Sequence, residues 1–167
     1  MKKNNKIEDK EIKLGIFGSR TLTDKQSIEI IKRNIKEFIA SHKVSCLIIP
    51  GDIKGACAVA IDVARETLIP VMLFFYKKGT IEGGRWEMIR SIEERTHKII
   101  NKSDFFLIFH DGISKGTKWD MKQIIKAGKQ YEYIKVEKKD EINLDIDEDI
   151  NIINIINIED IDINNLK

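Results

Sequence analysis

Apolar and polar positions along this chain follow two alternating periods. Short apolar runs at 12–17, 44–49, 71–76, 105–109 and 131–136 have the length and the β-branched or aromatic content of strands. Between them, apolar residues recur every three or four positions. Ile28, Ile31, Ile35, Phe38 and Ile39 line one helix face, and Thr23 or Asp24 can cap that helix. Ala56, Ala58, Ala60 and Ala64 mark a second helix whose small residues let it lie close on a sheet. Trp86, Ile89, Ile92, Thr96, Ile99 and Ile100 give the apolar face of a third. Met121, Ile124, Ile125 and Gly128 give that of a fourth. Strands alternating with helices of this length predict an α/β fold: a doubly wound, mostly parallel sheet of about five or more strands with helices on both faces.

The stretch that organises the rest is 104–128, where an apolar strand breaks into Asp111-Gly112-Ile113-Ser114-Lys115-Gly116-Thr117 and a helix begins. A strand, a glycine loop and a helix N-terminus aim free backbone N–H groups and a positive dipole end at one spot, which suits a phosphate or a carboxylate. Gly112, Ser114, Gly116 and Thr117 are the expected cradle, with Lys115 able to pair with phosphate charge. Gly18-Ser19-Arg20 ends the first strand, and Pro50-Gly51-Asp52-Ile53-Lys54-Gly55-Ala56 ends the second. All three loops follow strands of a parallel sheet, so they share its carboxyl edge, where such sheets bind ligands. Ser19 and Arg20 would meet the same ligand, since a guanidinium fork suits phosphate. Asp52 fits a ribose hydroxyl or an ordinary turn. His110, at the strand end, is a candidate ligand contact, and Arg95 with Asp120 is a candidate acid–cation pair across the cleft.

Composition changes this picture at the ends only. The chain has 167 residues, 42% hydrophobic and 34% charged, as expected of one globular domain. No apolar run approaches the roughly 18 residues of a membrane span, and no apolar segment follows the basic N-terminus as in a secretory signal. Cys46 and Cys57 lack metal or disulfide spacing and read as buried thiols of a cytoplasmic protein. His42, His97 and His110 show no metal-site spacing, so neither a metal nor a cofactor is expected. Residues 1–11 read as frayed and 12–138 as the domain. From 139 the chain becomes an acidic tail rich in Ile, Asn and Asp, part of which should pack on the body or on a second copy. Residues 141–167 carry eight acidic side chains and one lysine, which leaves the remainder at +9. A basic body attracts nucleic acid or phosphorylated small molecules.

The loops in this order and spacing resemble those of the SLOG superfamily, the Rossmann-like group named after the DprA/SMF and LOG proteins, and most of all its small YspA/YpsA-type members. The resemblance covers residues 12–136 and rests on Gly18-Ser19-Arg20, Gly51, Gly55-Ala56, Arg95 and the run from Asp111 to Thr117. It implies binding of a nucleotide or nucleotide-derived small molecule at the sheet's carboxyl edge, by a sensor or sequestering protein, and a homodimer or higher homo-oligomer. LOG enzymes release the base from nucleoside monophosphates, and their hallmark resembles P-G-G-x-G-T-x-x-E. Gly116-Thr117-Lys118-Trp119-Asp120 falls on G-T-x-x-E, and Arg95 falls on an upstream arginine, so the resemblance implies Arg95 and Asp120 as catalytic residues if the chain is such a phosphoribohydrolase. His110-Asp111-Gly112 replaces Pro-Gly-Gly, Asp120 replaces the glutamate, and Cys57 stands where YspA-type members often carry an acid. DprA-like binding of single-stranded DNA is the third, less favoured reading, because the loops carry little aromatic surface for base stacking.

Overall fold

A computed structural model describes residues 10–52, 54–78 and 82–137. In chain order these form β1 (Ile12–Gly18), α1 (Lys25–Ser41), β2 (Val44–Pro50), α2 (Gly55–Thr67), β3 (Val71–Phe74), α3 (Gly84–Lys102), β4 (Phe105–His110), α4 (Lys115–Lys126) and β5 (Gln130–Lys135). The five strands make one sheet in the order β3-β2-β1-β4-β5, and every pairing is parallel. The chain therefore winds outward from β1 to β3, returns through α3, and winds outward again through β4 and β5. The direction reverses between β1 and β4, which is the topological switch point of a Rossmann-like sheet.

Side chains alternate across each strand and divide the core in two. Leu14, Ile16, Leu47, Ile49, Leu107 and Phe109 face Ile31, Ile35 and Phe38 of α1 and Val59, Ala60, Val63 and Ala64 of α2. Phe17, Ile48, Phe106 and Ile108 face the other way, against Ile99 and Ile100 of α3 and Ile124 of α4. Burial on both faces is why the central strands read as unbroken apolar runs. Asp24 is the cap that starts α1, and its carboxylate accepts from the Ser27 N–H at 2.9 Å.

Three details differ from the sequence reading. β3 stops at Phe74, short of the expected Tyr76. Trp86, read as part of an apolar helix face, is 80% exposed in the first turn of α3, whose buried residues are confined to 95–100 where the helix lies on the sheet. Gly128 lies just beyond α4 at φ +67°, a helix-ending conformation, so it is a terminator and not a packing position. The expectations for residues 1–9 and for the acidic tail, and part of the loop before Arg85, fall outside the described residues. Among the described residues no helix is long and apolar enough to cross a membrane.

Candidate functional site

The ends of β1, β2 and β4 lie together because small residues let them. A Cβ on Gly18 would stand 2.4 Å from the Ala56 Cβ and 2.9 Å from the Phe109 carbonyl oxygen, so glycine there admits the start of α2 against the sheet. Gly55, at φ +64°, would carry a Cβ 2.3 Å from the Ser19 carbonyl oxygen, and one on Gly51 would enter the Phe75 ring. Of these small residues, Gly18 also lines the cleft, while Gly55 and Ala56 are buried beneath it.

Above them the β4–α4 loop is held from several directions. Ser19 is buried, and its hydroxyl meets the Thr117 hydroxyl at 3.2 Å and accepts from the Asp111 N–H at 3.2 Å. The Asp111 carboxylate accepts from the N–H groups of Ile113 (3.0 Å) and Ser114 (2.7 Å) and from the Thr21 hydroxyl (2.5 Å). Burial alone would raise its pKa. Hydrogen bonds from Thr21, Ser114, Ile113 and Ser19 outweigh burial and bring the value down to about 2. Asp111 thus shapes the loop from within. Ser114 caps α4 by accepting the Thr117 N–H, which leaves the first-turn N–H groups of Lys115 and Gly116 without intrahelical partners. A Cβ on Gly116 would meet nothing within 4 Å, so this backbone faces open space. Lys115 is exposed and does not line the cleft. Gly112, at φ +88°, makes the turn.

His110 has a different role from the one its position suggested. It is 1% exposed, its Nε2 donates to the Ser114 carbonyl oxygen at 3.0 Å, and its Nδ1 meets the Tyr133 hydroxyl at 2.9 Å. Both ring nitrogens are thus engaged in anchoring the cap of α4 to β5.

The cleft floor is charged. Asp52 receives Arg20 Nη2 at 3.1 Å on one oxygen and Arg95 Nη1 at 3.5 Å on the other. Arg95 pairs with Asp52, and not with Asp120 as the sequence suggested. Its side chain is 5% exposed, its guanidinium lies 5.4 Å from the Tyr76 ring centroid, and its buried Nε has no hydrogen-bond partner among the described residues. Asp120 accepts from the Thr96 hydroxyl at 3.2 Å. Burial pushes its carboxyl up to about 7, against the Thr96 hydrogen bond and the Arg95 charge and with help from Asp52. Two guanidinium groups therefore share one carboxylate, while the second carboxyl is partly protonated near neutrality. The floor has positive charge to spare. Beneath it Cys57 is buried with its thiol pushed up to about 12, first by burial and then by Asp52, so the residue that follows Gly55-Ala56 is an inert thiol.

These groups enclose a cleft of about 360 Å³, lined by Gly18, Arg20, Thr21, Asp52, Ile92, Arg95, Ser114, Gly116, Thr117, Trp119 and Asp120. Thr21, Ile92, Thr96 and Trp119 were missed from sequence. Trp119 was open to detection, because three positions after Gly116 is the same face of a helix. Neither the known protein-family models nor the curated proteins give a match to this chain.

Proposed function

We propose that this cleft binds a nucleotide or a nucleotide-derived small molecule, and that the chain is a SLOG-type sensor or sequestering protein. The observation that carries the reading is Arg95, a buried cation that, among the described residues, has one long ion pair to a shared carboxylate and an Nε without a hydrogen-bond partner. A buried charge compensated so thinly is unfavourable, and an anion beside it restores the balance. Gly116 and the N-terminus of α4 line the same cleft and supply further donors for the phosphate. Thermal melting with a panel of nucleotides, followed by mass spectrometry of each mixture, tests this. Stabilisation with intact ligand is expected, and Arg95→Met should abolish it while the ligand-free protein still folds. If no nucleotide shifts the melting point, or if Arg95→Met retains the shift, the reading falls.

One observation favours a second reading, hydrolysis of the N-glycosidic bond of a nucleoside 5′-monophosphate. A carboxyl group titrating near neutrality beside an arginine is suited to proton transfer, and Asp120 is such a group. Free base in the mass spectra, lost in Asp120→Asn, would establish that reading over the first.

A further inference from the structure

The cleft has two unlike sides. Arg20, Asp52, Arg95 and Asp120 form its charged floor, whereas Ile92 of α3 and Trp119 of α4 give it an apolar wall. Trp119 is half-buried, and His97 meets the indole obliquely, 6.4 Å between centroids at 61°. A phosphate or a sugar phosphate has no use for such a wall, which would stay in contact with water when either was bound. Trp119 follows Gly116 by three residues, about 4.5 Å along the helix axis at roughly 1.5 Å per residue and on the same face. A ligand with its anion at the start of α4 therefore projects its next group across the indole. The cleft volume of about 360 Å³ lies at the small end of the roughly 300–1,000 Å³ range of ligand pockets, which favours one nucleotide unit over a dinucleotide.

From this juxtaposition we infer that Trp119, backed by Ile92, recognises a planar aromatic ring. The ligand class is then an aromatic-base mononucleotide, lying with its phosphate toward Gly116 and its base toward α3. The inference rests on the cleft being an anion site, which Arg95 supports independently of α4 through its buried Nε, without a hydrogen-bond partner among the described residues.

The chain's other tryptophan, Trp86, is 80% exposed and does not line the cleft, so full-length Trp86→Phe protein carries Trp119 as its single indole reporter. Fluorescence and calorimetric titrations with AMP, GMP, CMP, UMP, ribose 5-phosphate and inorganic phosphate test the inference. At least one nucleotide should quench Trp119 and bind on the order of ten- to a hundred-fold more tightly than ribose 5-phosphate, the range expected for one stacked base. Trp119→Leu, which keeps apolar bulk but removes the aromatic face, should close most of that gap, and Trp119→Phe should retain part of it. Ribose 5-phosphate binding as tightly as every nucleotide would overturn the inference while leaving the anion site standing, as would an undiminished gap in Trp119→Leu. Failure of all six probes to bind would overturn both.

Discussion

Ser19 and Thr117 stand 98 positions apart in the chain and meet hydroxyl to hydroxyl at 3.2 Å. Their contact joins the end of β1 to the first turn of α4 across the switch point of the sheet. The same Ser19 oxygen accepts the Asp111 N–H, so one buried hydroxyl fixes both the start and the end of the candidate phosphate loop.

Removing that hydroxyl should loosen the loop measurably. Ser19→Ala leaves the Asp111 N–H without its partner and is expected to cost about 1–3 kcal/mol in urea unfolding. Combined with Thr117→Val in a double-mutant cycle, the two changes should be coupled by about 1 kcal/mol. Strict additivity would mean the 3.2 Å contact carries no energy.

Two glycines should respond to alanine in opposite directions. Gly55→Ala puts a Cβ 2.3 Å from the Ser19 carbonyl at φ +64°, so it should destabilise the fold by more than ~1 kcal/mol. Gly116→Ala adds a methyl into open space within a helix and should be neutral or stabilising by ~0.4–1 kcal/mol. The same substitution should weaken nucleotide binding, because the methyl projects where a phosphate would approach. Melting curves with and without AMP separate the two effects, and unimpaired binding by Gly116→Ala would argue against the cradle.

Asp120 sets the sign of one pH dependence. Its carboxyl titrates near 7 in the fold against an ordinary 3.8, so between about pH 4 and pH 7 the native state holds more protons than the unfolded chain. Stability contributed by this group is complete below about pH 4, declines as pH rises to about 7, and is flat above. The difference is on the order of a few kcal/mol. Asp120→Asn should therefore melt higher relative to wild type at pH 8 than at pH 5. An equal offset at both values would show that the carboxyl is not perturbed.

Asp111 acts in the opposite sense and at lower pH. Its folded pKa of about 2 lies below the ordinary 3.8, so its stabilisation is present above about pH 4 and is lost as pH falls toward 2. Asp111→Asn should shallow the acid-unfolding curve below pH 4 and lower stability at pH 7, where the wild-type carboxylate holds the Thr21, Ile113 and Ser114 donors. An acid limb unchanged by the substitution would assign the loop's stability elsewhere.

The contrast between Gly18 and Asp52 shows which parts of the molecule could be read before folding. Gly18 follows a strand and Ala56 opens a helix, and period and residue size alone suggest that the two elements approach closely. The strands, helices and shared loop edge follow from the same local signals. Asp52 gave no such signal, because its two partners, Arg20 and Arg95, come from β1's loop and from α3, and only the return of the chain through α3 brings them together. The same holds for His110, whose partners lie four residues away in the cap and 23 away on an edge strand. The two tryptophans differ for the same reason. Trp86 has the period of a buried face, but it lies outside the 95–100 stretch where α3 is buried, whereas Trp119 stands where two helices meet beside the cleft.

The central strand pairing also constrains how this protein comes to exist. Leu14 of β1 lies opposite Phe105 of β4, so the middle of the sheet closes over 91 residues, and no two of the described strands form a hairpin. Topologies dominated by such distant pairings fold slowly for their size, because the loop entropy is lost before the contacts form. A chain emerging from the ribosome can build β1, β2 and β3 with their helices, but the side of the cleft made by Ser114, Gly116, Thr117, Trp119 and Asp120 waits for β4 and α4. The cleft is therefore complete only once α4 has joined the sheet beside α3.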